Sequence, residues 1–120
     1  MSPFAKILQT AVESTPGAVG GAFAAPDGET VDHFSSLERS EWAILTAHYG
    51  IVLRHVQKAL NTLHYGEASS LHLSHTSMEI VIYVVAEGYF ALLALEAPAP
   101  LAHAHASLAA AATELRREMM

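Results

Sequence analysis

A chain of 120 residues, 52% hydrophobic and 15% charged, has the length of one domain and enough apolar side chains to bury a core, so it need not be disordered. Its net charge of −6 argues against nucleic acid and against an anionic membrane surface as partners. The absence of cysteine excludes disulfides, thiolate nucleophiles and Cys-ligated zinc, and fits a reducing cytoplasm.

The N-terminus runs straight into an amphipathic pattern, with no signal-peptide core. No apolar run reaches the roughly 18–20 residues of a membrane-spanning helix. Phe4, Ile7, Leu8, Ala11 and Val12 fall on one helical face and predict a helix over 4–14, with Ser2 as N-cap and Pro3 near its first position. Thr15-Pro16-Gly17 ends it. A strand is expected over 19–25, weakened by Gly20-Gly21, then a turn at Pro26-Asp27-Gly28-Glu29 and a return strand over 30–34.

A long helix follows over 37–65. Ser35, Ser36 and Ser40 offer N-caps, and Glu38 and Glu41 suit its positive end. Trp42, Leu45, Tyr49, Val52, Val56, Leu60 and Leu63 recur at steps of three and four and make one apolar face. Ile44, Ala47, Ile51 and Leu53 add apolar surface beside it or across from it. A surface helix of a small domain buries one stripe, so the surplus points to association. The helix is expected to stop at Tyr65-Gly66, where glycine takes the left-handed conformation.

Three strands are expected over 68–74, 78–85 and 89–95, joined by hairpins. The first alternates, with Leu71 and Leu73 against Ser70, His72 and Ser74, and reads as an edge. The other two are nearly continuous in apolar residues and imply a sheet covered on both faces. Ala97-Pro98-Ala99-Pro100 links to a last helix over 101–118, striped by Leu101, Leu108, Leu115 and Met119. The expected fold is α/β of the α+β type: a five-stranded antiparallel sheet with helices on both faces, in the order α-β-β-α-β-β-β-α. An open edge beside an over-apolar helix is a self-complementary patch, which a two-fold dimer closes.

With this order the chain resembles the Roadblock domain family, named for a dynein light chain. The resemblance spans nearly the whole chain. It is carried by Thr15-Pro16-Gly17-Ala18-Val19-Gly20-Gly21 entering the first strand, Asp27-Gly28 in the first hairpin, Gly66-Glu67-Ala68 after the long helix and Tyr89-Phe90-Ala91-Leu92-Leu93-Ala94-Leu95 as the last strand. It implies a homodimer whose edge strands join into one continuous sheet, with the two long helices side by side. It also implies a platform for Ras-like small GTPases or for another Roadblock protein, and seldom an enzyme. Among bacterial members, those of the gliding-motility and cell-polarity system are the most similar, and their roles include scaffolding and direct GTPase activation.

The chemistry legible in the residues agrees. Of eight histidines, His103 and His105 lie about 200° apart on a helix and cannot share an ion. His48 and His55 share a face without a third ligand, and His72 and His75 straddle a strand end where they could approach. Surface and interface histidines without a ligand is the main reading; a histidine-dependent metalloenzyme and a proton-linked interface are the alternatives. No nucleophile elbow is present. Gly17-x-x-Gly20-Gly21 precedes a strand, whereas a phosphate-binding loop follows one. No catalytic residue, cofactor or metal is assigned. The partner or dimer interface is assigned to Trp42, Leu45, Tyr49, Gly50, Leu53, Arg54, His55, Lys58, Leu71, His72 and Leu73. Trp42 and Tyr49 serve either as binding anchors or as packing on the chain's own sheet. Gly50 would let a partner helix approach, while Arg54, His55 and Lys58 would meet an acidic partner or form a solvated face. An arginine finger at Arg39 or Arg54 is the weaker alternative.

Overall fold

The computed structural model describes residues 1–35 and 38–120. Its elements are α1 (Pro3–Glu13), β1 (Ala18–Ala24), β2 (Thr30–Ser35), α2 (Arg39–Thr62), β3 (Ser70–Ser74), β4 (Met78–Ala86), β5 (Tyr89–Glu96) and α3 (Leu101–Met119). All neighbouring strands are antiparallel, in the order β2-β1-β5-β4-β3, so β2 and β3 are the edges. The expected element order and α+β class hold throughout.

Two cores sandwich the sheet. α1 and α3 cover one face through Leu8, Ala11, Ala104, Leu108, Ala111 and Leu115, which pack on Phe23, Val81, Val85, Leu93 and Leu95. α2 covers the other through Trp42 and Leu53, which pack on Ile80, Ile82, Phe90, Leu92 and Ala94. Successive residues of a strand point to opposite faces. That is why β5 is apolar without interruption: Phe90, Leu92 and Ala94 serve one core, and Ala91, Leu93 and Leu95 the other.

Ser2 caps α1 as the sequence suggests, its hydroxyl accepting the Ala5 N–H at 3.0 Å. The same hydroxyl bonds the Asp32 carboxylate and so ties α1 to β2. The doubtful glycine pair in β1 has a packing reason. A Cβ on Gly20 would lie 2.6 Å from the Trp42 ring and 2.3 Å from the Ser35 Cβ, so only glycine leaves room for the indole.

Both ends of α2 differ from expectation. Glu38 is the N-cap and makes no side-chain capping bond. Ser40 lies within the helix, and the expected start at Leu37 and cap at Ser36 fall outside the described residues. Ser35 ends β2, and its hydroxyl accepts the Trp42 indole N–H at 2.6 Å. At the other end the helix stops at Thr62 rather than Tyr65. The Tyr65 N–H bonds the Leu60 carbonyl and the His64 N–H bonds the Asn61 carbonyl, with His64 at φ 60°. This is a Schellman closure with histidine at its left-handed position, and Gly66, two residues on, is left-handed as expected, at φ 85°.

Candidate functional site

The inward stripe of α2 is Trp42, Thr46, Gly50 and Leu53. Trp42 has 0% exposure, stacks on the His33 ring at 6.3 Å and belongs to the chain's own core, not to a binding surface. Leu53 is likewise buried, though the sequence placed it off the main face. Thr46 escapes an apolar pattern, yet it is fully buried, because its hydroxyl bonds the Trp42 carbonyl and the Thr30 hydroxyl. Gly50 faces inward too. A Cβ there would stand 3.1 Å from the Gly28 Cα and 3.6 Å from the Phe90 ring. The glycine therefore serves close approach between α2 and the β1–β2 turn, and not the approach of a second helix.

At about 100° per residue, Leu45, Tyr49, Val52, Val56 and Leu60 form a stripe beside the buried one. All five are half-buried: the monomer covers this stripe only in part. Two ties set α2 against β3. The Tyr49 hydroxyl bonds His75 Nε2 at 2.6 Å, and burial pushes the Tyr49 phenol pKa up. Gln57 holds both backbone groups of Ala68, accepting its N–H at 2.7 Å and donating to its carbonyl at 3.0 Å. Leu71 and Leu73 of β3 lie on the α2 face, half-buried and packed against the same core. Open strand edge, Leu71, Leu73 and the Leu45–Val56 stripe thus make one continuous, half-covered apolar face.

His72 belongs to the other face of β3. Its Nε2 lies 2.5 Å from Glu79 Oε2, and the Ser74 hydroxyl donates to Glu79 Oε1 at 2.9 Å. These bonds, the one from His72 first, hold the Glu79 carboxyl below its ordinary value. His105 of α3 meets the His72 ring edge-on at 6.1 Å, and its Nδ1 lies 3.3 Å from the Tyr83 hydroxyl. His72 and His75, which could approach each other, bond Glu79 and Tyr49 respectively, while the charge of both bears on Glu79. His103 lines a groove between α1 and α3, away from His105. Among the described residues no three His, Asp or Glu side chains gather as a metal site.

Outward on α2 runs a third stripe: Ile44, His48, Ile51 and His55. Ile44 is 62% exposed and Ile51 47%. Ile51, Arg54, His55 and Lys58 line a groove of about 140 Å³, which makes the expected basic cluster a real surface feature. Among the described residues neither Arg54 nor Lys58 makes an ion pair. Among the described residues no helix is long and apolar enough to cross a membrane.

No family model matches the sequence, and no curated protein matches it. Solved structures do. A Roadblock/LC7 domain from Streptomyces avermitilis superposes with a TM-score of 0.90 at 13% identity, over 96% of each chain. The gliding protein MglB from Thermus thermophilus gives 0.86 at 16% identity, over 96% of this chain and 87% of that one. MglC from Myxococcus xanthus gives 0.71 at 24% identity, over 98% and 99%. The expected fold is therefore the one found: this chain has the Roadblock/LC7 fold, the fold of MglB and MglC.

Proposed function

We propose that the protein is a non-catalytic, homodimeric regulator in a bacterial gliding or cell-polarity module, acting in the cytoplasm. It binds a Ras-like small GTPase, a sister Roadblock protein, or both. The observation that carries this reading is the half-covered face of α2 and β3. A polar edge strand flanked by half-buried Leu71, Leu73, Leu45, Tyr49, Val52 and Val56 matches a second copy of itself, strand to strand and helix to helix. Pairing of two β3 edges would continue the sheet through ten strands and leave the outward stripe of α2 from both copies on one side. Ile44, Ile51, Arg54 and Lys58 then offer an apolar and basic platform that suits an acidic partner surface.

Titration with Ras-like GTPases and Roadblock proteins of the same cell, the GTPases loaded with a non-hydrolysable GTP analogue, tests the reading. A complex is expected, with GTP hydrolysis in parallel assays unchanged within about twofold. A large acceleration would make the protein a direct activator. Failure to bind any of them would contradict the reading.

A further inference from the structure

Midway along α2, two histidines flank one valine. His48 lies one turn before Val52 and His55 one turn after, both exposed on the outward stripe where it borders the half-buried one. The two ties between α2 and β3 locate this point relative to the edge strand. Tyr49 is fixed to His75 and Gln57 to Ala68, so His72, the middle residue of β3, lies alongside Val52 and Leu53 by interpolation. An antiparallel pairing of two copies that uses all five residues of β3 is centred on His72. Its two-fold axis then passes beside Val52, the two α2 helices run antiparallel, and His48 of one copy comes opposite Val56 of the other, one residue from its His55.

We propose that self-association of this protein is proton-linked, with His48 and His55 as the groups that loosen the dimer when they take up protons. The inference rests on the homodimer reading above. Imidazoles brought together beside cations are tolerated when neutral and repel when charged. The charges around them set the sign. On α2 the close neighbours are the cations Arg54 and Lys58, which share a groove with His55. The nearest carboxylate on the same helix is Glu41, two turns from His48, roughly 10 Å along the axis. From the β3–β4 turn comes His75, held by Tyr49. Asp27, Glu29 and Arg39 lie on the opposite flank of α2, beside Ala43 and Ala47. The pair His72–Glu79 sits on the far face of the sheet with His105 and Tyr83. Glu67, beside Ala68, lines a groove with Gln57, Glu87 and Arg116, so the charges that share the surface of α2 around His55 are the cations, and acid weakens the dimer. The same cations argue against a metal ion between the paired imidazoles.

The test is the dimer dissociation constant by sedimentation between pH 8.0 and 5.5, with far-UV circular dichroism to show that the chain stays folded. One imidazole that ordinarily titrates near pH 6.5 and is held neutral in the dimer weakens it about tenfold at pH 5.5. At least that loss is expected for the wild type, and a flat profile for the joint variant His48→Asn, His55→Asn. A wild-type dimer whose constant does not change overturns the proton linkage and leaves the homodimer standing. A dependence that persists in the variant overturns the assignment to these two histidines. A dimer that EDTA dissociates at pH 8.0 and zinc restores replaces the proton by a metal. A chain monomeric at every pH removes the homodimer reading itself.

Discussion

Single residues decide how closely the layers of this protein approach, and two of them carry predictions. Gly50 stands against the Gly28 backbone. Gly50→Leu should destabilise the monomer by about 1–3 kcal/mol, as overpacking of a filled core does, and shift the urea midpoint accordingly. An unchanged midpoint would mean that α2 does not rest on the turn. Glu79 is the second case. Its carboxyl is held below its ordinary value by His72 and Ser74, so its contribution to stability is present above the unfolded-state pKa and is lost as pH falls through the lower folded-state value. Wild type should therefore exceed Glu79→Gln in urea resistance at pH 7, and the gap should narrow as pH falls below the ordinary carboxylate range and close once the depressed carboxyl protonates. The sequence showed Glu79 only as one acidic residue in an apolar strand. Its partner His72 was visible as a polar position of an alternating edge, but the pairing needs the β3–β4 register, His72 to Val81, which brings Glu79 diagonally across. Trp42 and Gly50 were misplaced for a related reason. A helical pattern shows which residues share a face, not which face is inward, and the true inward stripe contains a threonine and a glycine that apolar periodicity does not count.

At the scale of elements, the sequence was most legible where hydrophobic pattern and turn chemistry agree. Ser2, the alternating edge strand and the uninterrupted β5 all fell where their residues indicated. The helix ends did not: Gly66 is left-handed as expected, but the closure that ends the helix uses His64, two residues earlier. The ties from α2 to the β3 region were invisible as well, since Gln57 and His75 carry no local signature. Gln57→Ala removes both bonds to Ala68 and should cost about 1–2 kcal/mol, at roughly 1 kcal/mol per bond, with faster hydrogen exchange at the Ala68 N–H. Wild-type exchange at that amide would contradict the tie. The basic groove of α2 is a separate element of the surface. The joint change Arg54→Glu and Lys58→Glu should slow association with the heterologous partner, and added salt should slow the wild type, as steering by charge requires. Wild-type kinetics at low salt in the double variant would make the groove a solvated face.

The whole molecule is a sheet with one face closed by two helices and the other closed by a helix that covers it incompletely. The apolar surplus read in the long helix is real, and it divides into a half-buried stripe toward β3 and an exposed one toward solvent. The central claim is that the first of these, with the β3 edge, receives a second copy. Molar mass by light scattering at pH 8 and tens of micromolar tests it most directly. Twice the 12.8 kDa of one chain is expected for the wild type, and a folded single chain for Val52→Arg, whose cations would meet at the two-fold axis. A wild type at the mass of one chain under those conditions would contradict it.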